Sequence, residues 1–149
     1  MKSIRLEDGD LAITLGRSTG FVYGKDKLLQ DLELWLREPL GQGTTTPRFG
    51  SLLDTFLGNA RRDSIETEIS NEVQRVLGLY QANQMLRLKE AKDIGQLRFW
   101  SKDQIVQKID NVKTTFVYDR AEVQVLLTTL ARSSVELDIF VSSGGVQVG

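Results

Sequence analysis

The spacing of apolar residues along this chain changes period twice, and the changes mark out its elements. Near the start, Ile4 and Leu6, then Leu11, Ile13 and Leu15, alternate with polar neighbours. That is the period of a strand with one covered face. Asp8-Gly9 lies between the two runs and tolerates the positive φ of a tight hairpin turn. Gly16 and Gly20 bracket a second turn, after which Phe21-Val22-Tyr23 opens a third strand. The same 23 residues also suit an extended arm that orders on a partner. From Lys25 the period becomes helical. Leu28, Leu29, Leu32, Trp35 and Leu36 recur at three- and four-residue steps, while Gln30, Asp31, Glu33 and Arg37 fall outside the stripe. The spacing predicts a helix over 25–38, stopped by Pro39, which disfavours helical geometry in the residue before it. Full burial of each large stripe residue stabilises by roughly 1.5–3 kcal/mol. Trp35 is expected to be the largest contributor.

Residues 40–50 break all periodicity with three Gly, one Pro and a run of Thr, and read as a loop. Ser51, three residues before Asp54, resembles a capping box. A short helix through Leu52, Leu53, Phe56 and Leu57 is expected next, ended by Gly58-Asn59. The longest helix begins near Asp63, with Glu66 completing a second capping arrangement. Ile65, Ile69, Val73, Val76, Leu77 and Tyr80 trace its face. The signal weakens at Gly78 and resumes through Met85, Leu86, Leu88 and Ala91, which suits one kinked helix or two joined ones. Residues 93–100 read as a turn. Ser101 with Gln104 then opens a short helix carrying Ile105, Val106 and Ile109.

At Val112 the period returns to two. Val112, Thr114, Phe116 and Tyr118 share one face; Asp119-Arg120 turns; Val123, Val125, Leu127 and Thr129 make the next strand. After a turn at 132–134, Val135, Leu137, Ile139 and Val141 make the last. The expectation is an α+β domain over 1–141, built from an N-terminal hairpin, three to five helices and a C-terminal three-stranded antiparallel meander. Residues 142–149, rich in Ser and Gly, have the composition of a flexible tail.

Composition narrows function mostly by exclusion. The length, 149 residues, suits one domain. A net charge of −1 offers no global attraction to nucleic acid or an anionic membrane, and no apolar run is long enough to span a bilayer. The chain has neither Cys nor His. That removes disulfides, most zinc sites and nearly all nucleophilic triads, so catalysis would rest on carboxylates, Lys or Tyr. Carboxylate pairs for glycoside hydrolysis are Asp31 with Glu38, or Glu33 with Asp54. Charges at these spacings ordinarily belong to a solvated helix face. Gly41-Gln42-Gly43 with three following Thr lacks the lysine of a phosphate loop and follows a helix rather than a strand. No cofactor, metal or small-molecule substrate is expected. Arg61-Arg62, and the stripe of Met85, Leu86 and Leu88, fit either partner contacts or ordinary surface and core. The last strand, with Glu136 and Asp138 as modest protection, is expected to lie at a sheet edge able to accept a strand from another chain. Closure of that edge by the N-terminal hairpin is the alternative.

One stretch carries a family resemblance. Val22-Tyr23-Gly24, then Leu28-Leu29-Gln30-Asp31-Leu32 and Leu36, are followed by the Gly41–Thr46 loop and by Pro47-Arg48-Phe49-Gly50-Ser51-Leu52-Leu53. This order resembles the lysozyme-like baseplate wedge family of contractile phage tails, the sheath initiators. The long helix and the closing meander follow in the same order. The resemblance implies a non-catalytic structural subunit of the virion, assembled in host cytoplasm into the tail baseplate. Its implied partners are the tail sheath protein, other baseplate wedge proteins, and tail tube or hub proteins. The sheath-facing edge would be Val135, Leu137, Ile139 and Val141; Gln30, Pro47, Phe49 and Gly50 would be structural. Many members carry Glu-Pro-Arg after the long helix. Here Glu38-Pro39 precedes Leu40, in the wrong place, and Arg98 is the candidate substitute for wedge docking. Other readings are a component of a sheathless tail, a bacterial regulatory adaptor of the same family, and a carboxylate glycosidase.

Overall fold

A computed structural model of the chain describes residues 3–4, 6–7, 10–11, 21–41, 50–56, 64–142 and 145–149, with side chains from residue 23 onward except 54. Four two-residue strands come first: β1 (Ser3–Ile4), β2 (Leu6–Glu7), β3 (Asp10–Leu11) and β4 (Phe21–Val22). β2 pairs with β3 in antiparallel register, Glu7 opposite Asp10; the Asp8-Gly9 turn expected between them lies outside the described residues. β1 pairs with β4. Three α-helices follow: α1 (Lys25–Arg37), α2 (Leu53–Phe56) and α3 (Ile65–Asp93). Two 3-10 turns, Leu97–Phe99 and Lys102–Gln104, lead into the sheet. Its strands are β5 (Val106–Val117), β6 (Arg120–Thr129), β7 (Ser134–Ser142) and β8 (Gly145–Val148), antiparallel in chain order. The class is α+β. Among the described residues two long helices, the four-residue α2 and two 3-10 turns stand where three to five helices were expected, and the C-terminal sheet has four strands rather than three.

The sheet buries one face. Ala121, Val123, Val125 and Leu127 of β6 and Val135, Leu137, Ile139 and Val141 of β7 form its floor. Above them lie Leu28, Leu32 and Leu36 of α1, Leu53 of α2, and Ile69, Val73, Val76, Leu77 and Tyr80 of α3. The period-three-to-four stripes of the helices thus meet the period-two stripes of the strands in a two-layer core. Trp35 departs from expectation. It is half-buried at the side of the core, edge-on to Tyr80 with ring centres 5.8 Å apart.

α3 runs without interruption through Gly78. Burial of Val76, Leu77 and Tyr80 around the glycine holds the helix where propensity alone would weaken it. Its end is marked in the sequence. Gly95 takes φ 72, Gly95 N–H donates to Lys92 O and Gln96 N–H to Ala91 O, the paired bonds of a Schellman cap.

The chain crosses back over itself between α1 and α2. Ser51 N–H donates to Glu38 O (2.8 Å), Leu40 N–H to Ser51 O (3.0 Å), and Ser51 Oγ to Leu36 O (2.7 Å). Ser51 therefore ties down the end of α1; it also accepts weakly from Leu53 N–H (3.4 Å). Gly50 makes the crossing possible. Its φ is 106, and a Cβ there would stand 2.5 Å from Glu38 O and 2.9 Å from Pro39 backbone atoms. No L side chain fits.

Two sequence expectations are corrected in the sheet. Val106 and Ile109 belong to β5, not to a helix. The β5–β6 register shifts between Val106 and Lys108 and again between Ile109 and Asn111. These bulges space the inward residues Val106, Ile109 and Val112 by three, which imitates a helical stripe. The turn after β5 is Tyr118-Asp119 rather than Asp119-Arg120, with Tyr118 at φ 58 and fully exposed.

Candidate interaction surfaces

Of the residues expected at a free sheet edge, Ile139 and Val141 lie between two strands, while Val135 and Leu137 lie beyond the end of β8. β7 is an interior strand: β6 pairs with it on one side from Ser134 to Val141, and β8 on the other. Ile139 faces Val148, Val141 faces Val146, and Gly149 exchanges two hydrogen bonds with Asp138. The residues expected to be a flexible tail supply this extra strand. Gly145, at φ 117, pairs with Ser142 in hairpin register. Val135, Leu137, Ile139 and Val141 are all buried, their side chains spent on the core.

The margin that remains is stepped. β8 and Gly149 cover β7 from Asp138 to Ser142, and Ser134–Leu137 extend beyond them. Asp138 bonds Gly149, so alternation along the strand turns the peptide groups of Ser134 and Glu136 to the same outer side. By the same alternation Val146 and Val148 of β8 present theirs outward. Among the described residues no strand pairs with either set. The opposite margin, at β5, is guarded at its start. Gln84 Oε1 accepts from Val106 N–H (3.0 Å) and Gln81 Nε2 donates to Gln107 O (2.9 Å). Both glutamines come from α3, and Ser70 Oγ meets Thr114 Oγ1 further along (2.6 Å).

Of the candidate carboxylates, Asp31 and Glu33 are engaged structurally, and the Asp54 side chain lies outside the described residues. Asp31 pairs with Lys27 and accepts from Tyr80 Oη (3.3 Å); Glu33 pairs with Arg37 (2.9 Å). Glu38 is exposed at the end of α1. Burial, and then the neighbouring Asp31 carboxylate, push the Tyr80 hydroxyl well above the usual tyrosine range, which leaves it a hydrogen-bond donor rather than a base. Sequence reading passed over Glu72, the buried acid of α3. It holds Arg75 through both oxygens and accepts from Leu52 N–H (2.8 Å), fastening the α2 segment to α3. A carboxylate three residues before an arginine was its only trace in the sequence. Among the described residues no cluster of three His, Cys, Asp or Glu side chains is placed to hold a metal.

Of the motif residues, Gly50 sits at the backbone crossing and Gln30 is half-buried on α1. Pro47 and Phe49, the Arg61-Arg62 pair and the Gly58-Asn59 cap lie outside the described residues. Arg98 is exposed in the first 3-10 turn, its guanidinium 4.9 Å from the centre of the Phe99 ring. Met85 and Leu86 point to solvent rather than into the core. No protein-family model, curated protein or solved structure matches this chain.

Proposed function

We propose that this chain is a non-catalytic structural subunit of a contractile phage-tail baseplate and that it starts the sheath by strand addition. The observation that carries the reading is the stepped margin of the sheet. It offers outward peptide groups at Ser134 and Glu136 of β7 and at Val146 and Val148 of β8, on a strand pair whose side chains are anchored in the core. An extended arm of a sheath subunit laid along β8, or in line with it beside β7, gains main-chain hydrogen bonds without displacing any core residue. This moves the sheath contact from the Val135–Val141 side chains to the backbone beside them. The resemblance of residues 22–53 to wedge proteins supports the same reading, with Gly50 as the scaffold residue of that motif. Neighbouring wedge proteins and the tail tube or hub are the further partners proposed, and the baseplate is the location.

Proline at Glu136 tests the mechanism. Its N–H faces outward, so the substitution leaves the β6–β7 ladder intact while removing a donor and placing a ring at the margin. The expected result is a folded variant, by circular dichroism, on which sheath fails to assemble in tail reconstitution. Normal sheath nucleation on folded Glu136→Pro rejects strand addition at this margin. Labelled antibody against the chain is expected at the sheath–baseplate junction of intact tails, and label elsewhere rejects the assignment itself.

A further inference from the structure

A second surface lies at the far end of α3, away from the sheet margin. The Schellman cap at Gly95 turns the chain back, so that the first 3-10 turn packs against α3, while the second packs against α1 and β6 and is tied to α3 by Gln84 Nε2 donating to Gln104 O (2.6 Å). Leu130 N–H donates to Ile105 O (3.0 Å), which brings the β6–β7 turn alongside. Between them is an open groove of about 550 Å³. Its floor is apolar: Leu88, Leu97, Trp100, Ile105 and Leu130. Its rim is cationic: Lys89, Lys92, Arg98 and Lys102. No carboxylate lines it, although Glu90, Asp93 and Asp103 stand next to the rim residues in sequence. Among the described residues no ion pair joins any of the four cations to an acid.

Exposed large apolar side chains are frequent in the same stretch of chain: Leu86, Ile94 and Phe99 are 63%, 67% and 53% exposed, and Met85 and Leu97 are also open to solvent. The net charge of the chain is −1, so the cationic rim is a local feature. An apolar floor open to water in this way marks a contact surface. Single-stranded nucleic acid is the poorer fit, since Leu88, Leu97, Ile105 and Leu130 make most of the floor aliphatic rather than a stacking platform. A small apolar acid would fill the groove yet leave Leu86 and Ile94 uncovered.

We infer that this groove docks an acidic, apolar polypeptide segment of another protein. Its Leu- or Phe-type side chains seat on Leu88, Leu97 and Ile105, and its carboxylates meet Lys89, Lys92, Arg98 and Lys102 around the rim. Lys89 and Lys92 lie three apart on α3, so their charges project side by side along one flank. Arg98, stacked on Phe99, supplies the other flank. The contact is of the kind in which charge sets orientation and on-rate and the apolar floor sets residence. It stands whether or not the sheet margin nucleates a sheath.

The test is a phage-displayed library of random peptides panned against the intact protein. Counter-selection uses the Lys89→Glu/Lys92→Glu double variant, both positions being exposed. Enriched peptides are expected to be rich in Asp or Glu with Leu or Phe. They should bind the double variant at least about tenfold more weakly and bind less well as ionic strength rises. Amide shifts on binding should map to residues 85–105 and 130. Leu97→Ser, a second exposed variant, should weaken the same peptides without altering the fold. Failure to enrich acidic peptides, indifference to charge reversal, or shifts elsewhere would overturn the inference. So would concentration-dependent self-association abolished by the double variant, which would put a second copy in the groove. Groove-dependent binding of phosphatidylglycerol vesicles or single-stranded RNA in place of peptides would also overturn it.

Discussion

The two halves of α3 share one uninterrupted helix and differ in almost everything else. From Ile65 to Tyr80, the residues Ile69, Val73, Val76, Leu77 and Tyr80 are buried against α1 and the sheet. From Gln81 to Asp93, Gln84 and Ala91 are the buried positions, while Met85 and Leu86 face solvent. Both halves carry apolar residues, so composition does not separate them. The difference is what stands opposite. The first half has a sheet and a helix to cover; the second half runs past the core, tethered by Gln81 and Gln84 to the start of β5. Among the described residues no element covers Met85 and Leu86, and the cationic groove opens along the same half of the helix, at Leu88, Lys89 and Lys92.

The sharpest way to break this comparison is to truncate a residue of the first half. Leu77→Ala removes a side chain that is 2% exposed, in the middle of the core. The expected loss is about 2–5 kcal/mol, from transfer of the removed atoms and the cavity they leave. Urea unfolding followed by far-ultraviolet circular dichroism measures it. A loss under about 1 kcal/mol would mean that the first half is not the anchored one.

Much of this asymmetry was legible before the fold. The stripes Leu28–Leu36 and Ile69–Tyr80, and the alternation in β6 and β7, are strict because each element buries one face. What stayed hidden has specific causes. Two bulges gave the start of β5 a three-residue spacing, so Val106 and Ile109 read as helix. Glycine near the C-terminus read as slack, whereas Gly145 pairs with Ser142 in hairpin register, so β8 was missed and the whole of β7 was placed at an edge that β8 and Gly149 cover from Asp138 onward. The groove was unreadable for another reason. Its cations come from α3 and both 3-10 turns, and its floor extends to Leu130, 42 positions after Leu88 along the chain, so no local pattern could join them. Arg98 was singled out by position alone, without the neighbours that give it a role.

A middle-sized effect is expected where the two halves meet. Gln84 Nε2 donates to Gln104 O (2.6 Å) and Tyr80 Oη (3.0 Å), and Gln84 Oε1 accepts from Val106 N–H (3.0 Å). Gln84→Leu keeps the volume and helix propensity but strands two buried backbone groups. The expected cost is roughly 1–3 kcal/mol. Amide exchange at Val106 should accelerate more than exchange across β6, because the lost partner is local. Uniform acceleration would show that Gln84 belongs to the core rather than tethering the second half to it.

The smallest effect should come from Leu86. At 63% exposure its side chain covers little of the subunit's own surface. Leu86→Ser is therefore expected to change stability by no more than about 0.5 kcal/mol, the range of surface substitutions. Part of even that change reflects serine's lower helix propensity. A loss near that of Leu77→Ala would show that this half is packed within the free subunit, and the contrast would collapse. A null effect on stability sharpens it instead: a leucine in contact with water adds nothing to holding this chain together, in contrast to the buried stripe of the same helix.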